Sequence, residues 1–154
     1  MAYLFFYVST LVVWVLLFAV LRFKSLSRAN ILVGIVTALI SLLYDLLLGE
    51  NFKLYYYISP QYSVYYIIVS ALLIYPLLNI IYTLFLPRKL KSVFLYTVGW
   101  IAAMLLFEYA SVALGTIVFT GWKPIPWSIA TYIFTYLWVY FLYKRSTKEL
   151  SFKV

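Results

Sequence analysis

The chain has 154 residues, of which 67% are hydrophobic and 10% charged, far above the roughly 45–50% apolar share of a soluble domain. It contains no Cys and no His, which removes thiol redox chemistry, disulfides, the usual zinc and haem ligands and the commonest general base. The net charge of +8 does not point to nucleic acid, because the basic residues fall in short clusters between apolar runs, where they set membrane topology.

Tyr3 to Leu21 is an uncharged apolar run closed by Arg22, Lys24 and Arg28, and it reads as a first spanning helix. With no basic start and no small-residue exit it is expected to be retained rather than cleaved as a signal peptide. Tyr3, Tyr7, Thr10 and Trp14 follow helical spacing and form one stripe, read as an interface anchor continuing into packing.

Ile31 to Leu48 is the second run, with Gly34, Ala38, Ser41 and Asp45 on one helix face. Small residues mark where helix backbones approach closely in lipid, and Gly34-x-x-x-Ala38 fits that pattern. Asp45 lies near the end of the run, where a carboxylate is expected to reach the headgroups, with a buried polar site as the alternative. The connection from Gly49 to Ser63 is crowded with tyrosines, among them Tyr55, Tyr56 and Tyr57, read as interface aromatics, with a platform for a sugar or lipid headgroup as the alternative.

Val64 to Leu86 is the third span and carries Pro76 near its middle, with Asn79 and Thr83 following. Proline removes a backbone donor and displaces the carbonyl four residues back, here that of Leu72, so a kink is expected. Asn79 then either shapes a polar cavity or makes an interhelical hydrogen bond. Pro87 stops the helix ahead of Arg88, Lys89 and Lys91.

Val93 to Gly115 is the fourth span and contains Glu108. A carboxyl group inside such a run is costly to bury and marks a functional-site hypothesis. Ser111 and Gly115 share its face as a small-residue pair, so Glu108 is expected to point into the bundle. Gly121, Pro124 and Pro126 break the next connection, where Trp122 and Trp127 bracket Lys123 as interface aromatics. Trp127 to Tyr143 is the last span, with Ser128, Thr131, Thr135 and Trp138 on one stripe and Tyr132, Tyr136, Tyr140 and Tyr143 on the next. A short tail carries Lys144, Arg145, Lys148 and Lys153.

The fold expected is therefore all-α, one integral membrane bundle of five transmembrane helices. Lys and Arg number three in the first connection, three in the third and four in the tail, against one each in the second and fourth. The positive-inside rule then puts the N-terminus outside and the C-terminus in the cytoplasm, in a multi-pass protein of the cell membrane. In that frame Asp45 and Glu108 each stand fifteen residues above the cytoplasmic start of a helix, about 22 Å up at 1.5 Å per residue. They are placed to meet. Two close carboxyls do not both ionise cheaply, and a shared or retained proton is expected. The nearest cations, Lys53 and Lys123, are candidates to fold over them.

The intramembrane polar site expected from these patterns comprises Glu108, Asp45, Ser41, Asn79 and Ser111, beside the Pro76 kink. No catalytic residue is assigned. Two carboxyls are the minimum for general acid–base work, but the sequence has no phosphate loop, no G-x-S-x-G and no acidic metal cluster, so neither an enzyme nor a metal or cofactor is favoured.

Several of these pieces together resemble a family of small, uncharacterised integral membrane proteins of spore-forming Bacillus and Clostridium relatives. They are the LLYDLLLG end of the second run, Tyr75 to Leu78 with Pro87, Glu108 followed by Tyr109, and Gly121-Trp122 with Trp127-Ser128. The similarity runs from about Ile31 to Arg145. Family members tend to carry an acid one turn before Asp45, where this chain has Ser41; Glu108 matches directly. The resemblance implies a multispanning membrane protein linked to sporulation and supplies no reaction.

Three functions fit. The first is a non-enzymatic interaction or structural subunit, packed in the bilayer against copies of itself or a membrane partner. The second is a small oligomeric transporter or channel component with a proton-titrating Glu108. The third is a membrane enzyme acting on a lipid-linked substrate.

Overall fold

The computed structural model describes the backbone of residues 1–151 and the side chains of residues 1–148. Its long elements are helical, and five stretches are long and apolar enough to cross a membrane: Ala2–Leu21, Arg28–Asn51, Pro60–Leu84, Leu90–Ala113 and Pro124–Lys148. The last helix extends beyond the Tyr143 end of the expected span and runs on to Ser151. Lys153, counted among the tail cations, lies outside the described residues.

Helix α1 (Ala2–Leu21) is apolar on every side and buries only Phe6, Val13 and Leu17, so it lies against the others rather than among them. Thr10 bonds back to the Phe6 carbonyl at 2.9 Å, and the Tyr3 ring meets Tyr66 edge-on. Helix α2 (Arg28–Asp45) begins at a capping box, in which Ser27 Oγ accepts from the Asn30 amide and the Ser27 amide donates to the Asn30 side chain. This arrangement satisfies donors that the first turn leaves open. The helix continues past Asp45 as a wide π-helical stretch from Leu46 to Asn51.

The third span is two helices, α3 (Ser63–Leu73) and α4 (Tyr75–Leu84), with the break at Ile74, where φ is −115°. Pro76 sits in the first turn of α4, where the missing N–H costs least. Helix α4 is the centre of the bundle: eight consecutive residues, Pro76 to Thr83, are buried. It is fastened to α2 by two hydrogen bonds, Asn30 Nδ2 to Thr83 Oγ1 at 2.9 Å and Asn79 Nδ2 to Thr37 Oγ1 at 3.1 Å. Gly34 lets the two approach, since a Cβ there would stand 2.8 Å from Ile80 Cδ1.

Helix α5 (Leu90–Ala113) ends where Gly115 adopts φ +73°. The Gly115 amide donates to Val112 O at 3.0 Å and the Thr116 amide to Ser111 O at 2.7 Å, a Schellman cap. This corrects the expectation for the Ser111–Gly115 pair. A Cβ on Gly115 would meet nothing within 4 Å, so the glycine is there for its backbone angle and not for a close helix contact. Helix α6 (Ile129–Ser151) follows a wide turn over Pro124–Ser128.

The two connections at the N-terminal end of α1 are joined in a way the sequence pattern does not show. Strand β1 (Tyr55–Tyr57) pairs antiparallel with β2 (Ile117–Phe119), Tyr55 opposite Phe119 and Tyr57 opposite Ile117. Leu54 O accepts from the amides of Thr120, Gly121 and Trp122, and Thr120 Oγ1 bonds Lys53 O. At the opposite end Tyr82, fully buried, is surrounded by Tyr96, Trp100 and Tyr136 at ring-centroid distances of 5.3, 5.9 and 4.7 Å.

Candidate functional site

Both acids found in the apolar runs line one cavity of about 380 Å³, walled by α2, α4, α5 and α6 and bounded at one end by the strand pair. Residues alternate sides along a strand, so the register puts Tyr55, Tyr57, Ile117 and Phe119 on a common face, and all four line the cavity. Trp122 joins them, packed edge-on against Tyr55 at 6.0 Å. The other end is bounded by Met104 and Tyr136, which pack into the Tyr82 cluster.

Asp45 is only 7% exposed. It does not reach outward to the headgroup level but turns inward, because the π-helical stretch after it and the strand that follows return Tyr55 over the carboxyl. The Tyr55 hydroxyl donates to Asp45 Oδ1 at 2.6 Å. Oδ2 is buried with no hydrogen-bond partner. Burial pushes the phenols of Tyr55 and Tyr57 well above their usual range, and the neighbouring Asp45 pushes them further. Both therefore stay protonated, and Tyr55 stays a donor.

Glu108, half-buried on α5, takes two donors from the start of α6. Ser128 Oγ donates to Oε1 at 2.5 Å, and the Tyr132 hydroxyl donates to Oε2 at 2.8 Å. Ser128 and Tyr132 are four residues apart, one helical turn, and so present to the same side. Ser128 in turn accepts from Trp122 Nε1 at 2.9 Å, which links the roof of the cavity to the acid through one hydroxyl.

Of the other residues expected at a polar site, Ser41 and Asn79 also line this cavity. Ser41 Oγ is tied to the Thr37 carbonyl at 2.8 Å, and Asn79 makes its bond to Thr37 as well as facing the cavity. Ser111 does not belong here. It bonds back to Phe107 O at 2.8 Å and faces a separate, much smaller cleft against Phe5 and Phe6 of α1. Glu108 and Ser111 are three positions apart on a helix, but the difference of about 60° around the axis sends one toward α6 and the other toward α1.

The aromatics read as interface anchors divide in the same way. Tyr55 is buried and Trp122 half-buried as cavity lining, Tyr56 points to the other side of the strand, and Trp127 remains 40% exposed. Lys53 and Lys123 are both exposed, and among the described residues no Lys or Arg lines the cavity. The donors to the carboxyls are Tyr55, which the sequence pattern assigns to the interface aromatics, and Ser128 and Tyr132, which it places on helical stripes without a role. For Ser128 and Tyr132 the available signal was their spacing on one turn. Among the described residues no group of three or more His, Cys, Asp or Glu is placed to hold a metal.

Fold and site define a class: a helical protein with five helices suited to crossing a membrane and an acidic, aromatic-lined cavity among them. No family model, curated protein or solved structure matches the chain.

Proposed function

We propose that the chain is a small-molecule binding component of the cytoplasmic membrane, the core of a small transporter that works as an oligomer. The observation that carries this is the cavity itself. It gathers Glu108, Asp45, Ser41 and Asn79 around about 380 Å³, within the range of ligand pockets, and leaves one buried carboxyl oxygen unpartnered. A subunit that serves only to pack against neighbours gains nothing from such a void, which costs stability in proportion to its volume. An ionisable group facing an interior cavity between spanning helices is the usual mark of a substrate or proton path.

The Tyr82 cluster and the strand pair bound the cavity at opposite ends, which favours a binding site closed along the helix direction over an open pore. Five spans are few for a stand-alone transporter, hence the proposed oligomer. A role connected with sporulation belongs to the same proposal and rests on the short motifs of the sequence alone.

Native mass spectrometry of the protein released from mild detergent tests the binding reading. A bound small molecule is expected on the wild-type chain and is expected to be lost from Thr135→Trp, which fills the cavity from α6. Equal adduct-free spectra for both proteins would overturn it.

A further inference from the structure

The cavity wall is incomplete on one side. Ile40 and Tyr44 on α2 and Ala130 and Phe134 on α6 line it, yet all four are exposed. The gap therefore lies between two helices whose outer faces are apolar. With both helices in a bilayer, it opens onto hydrocarbon. It is bridged where the Tyr44 hydroxyl meets Thr131 Oγ1 at 3.1 Å, a single hydrogen bond between side chains that is broken and remade cheaply.

The interior has the opposite character, and its hydrogen bonds have a direction. Three of the four carboxyl oxygens already accept a hydroxyl proton, from Tyr55, Ser128 and Tyr132. The fourth, Asp45 Oδ2, is buried and accepts none. Among the described residues the lining holds two acids and no base, so the cavity is acidic with no cation built in to balance it. A phosphate, sulfate or carboxylate ligand would find no cation here and would meet like charge. A ligand that supplies positive charge completes the site. The rings of Tyr57, Tyr75, Tyr136 and Trp122 add the faces that attract an ammonium group.

Resting on the binding reading above, we propose that the ligand is an amphiphilic amine, a single ammonium group on an apolar body, which enters sideways from the bilayer between α2 and α6. Its charge sits between Asp45 and Glu108, and its apolar part lies along Ile40 and Phe134. The Tyr44–Thr131 contact is the latch on that entrance.

Isothermal titration calorimetry in dodecyl maltoside, with protein-free micelles subtracted, tests this with three probes that share one tail: decyltrimethylammonium, decanol and decyl sulfate. Decyltrimethylammonium is expected to bind saturably, at least about tenfold more tightly than decanol, a ratio within reach of one charge and an aromatic cage. Decyl sulfate is expected to show no saturable binding. In Asp45→Asn/Glu108→Gln, checked for an unchanged gel-filtration profile, the preference for the cation over decanol should vanish. The comparison of probes on the wild-type protein stands even if that variant fails to fold. Decanol binding as tightly as the cation would overturn the proposed ligand class while leaving a cavity that binds amphiphiles. Absence of saturable binding by all three would also overturn it, and the adduct carried by the purified protein decides separately on the binding reading.

Discussion

Ser128 Oγ stands 2.5 Å from Glu108 Oε1 and 2.9 Å from Trp122 Nε1, so one hydroxyl closes the space between α5, α6 and the connection that carries β2. Removing it leaves the Trp122 indole N–H and Glu108 Oε1, both part-buried, each short of a partner. Ser128→Ala is expected to lower stability in detergent by about 1 kcal/mol, the low end of the cost of unsatisfied buried groups. It should also shift Trp122 fluorescence. Unchanged thermal unfolding together with an unchanged emission maximum would show that the link contributes nothing.

Tyr55 and Tyr57 give the protein an alkaline limit. Their phenols are held above the usual range by burial and by Asp45, so the folded chain keeps protons that the unfolded chain releases above about pH 10. Stability from this source is level below that pH and falls as pH rises through it, by at most about 1.4 kcal/mol per pH unit for each tyrosine. Thermal unfolding between pH 8 and 11 is expected to show a shallower decline for Tyr55→Phe than for the wild type. At neutral pH the same variant should be less stable, because Asp45 loses its donor. Parallel curves would rule this out.

Gly115 ends α5 at φ +73°, a conformation that costs a residue with a Cβ about 1–3 kcal/mol. Gly115→Ala should lose stability in that range even though the added methyl has open space around it. Gly115→Asn, better suited to the left-handed region, should recover part of the loss. Urea or thermal unfolding of the three proteins distinguishes a backbone effect, in which Asn outperforms Ala, from a packing effect, in which it does not.

Gly34 against Ile80 is the reverse case, where space decides. The first carbon added at Gly34 would stand 2.8 Å from Ile80 Cδ1 and 3.3 Å from its Cγ1, so Ala requires the Ile80 side chain to swing aside and should cost less than a branched residue. Gly34→Val is expected to cost about 1–3 kcal/mol by overpacking. Shortening the neighbour with Ile80→Val should return part of that, seen as a favourable coupling in a double-mutant cycle. Additive losses would mean that α2 and α4 do not meet through this pair.

The five helices were legible because each is an apolar run of spanning length between basic or Pro-containing breaks, and the break near Pro76 follows from a proline's missing donor. Local patterns could not reveal contacts made across long separations. Tyr55 and Trp122 have the composition of interface anchors, and nothing within fifteen residues of either says that β1 will pair with β2, about sixty positions away. That pairing turns Tyr55 and Tyr57 inward. Ser111 and Gly115 show a different gap: spacing puts them near Glu108 on a helical wheel, but the wheel does not know which neighbour each side will meet or that the helix is about to end. The donors Ser128 and Tyr132 were visible as helical stripes on α6, without a signal for which stripe faces α5.

The strand pair also sets a rule for change in this protein. Because side chains on a strand alternate, a slip of one residue in the Tyr55–Phe119 register would carry Tyr56 and Val118 to the inside and turn Tyr55 and Tyr57 out. Insertions before Leu54 or after Phe119 leave that parity intact, while a single deletion between Tyr55 and Tyr57 reverses it. Asp45, the last residue of α2, thus has its hydrogen-bond donor chosen by a three-residue ribbon that lies beyond the ends of the helices.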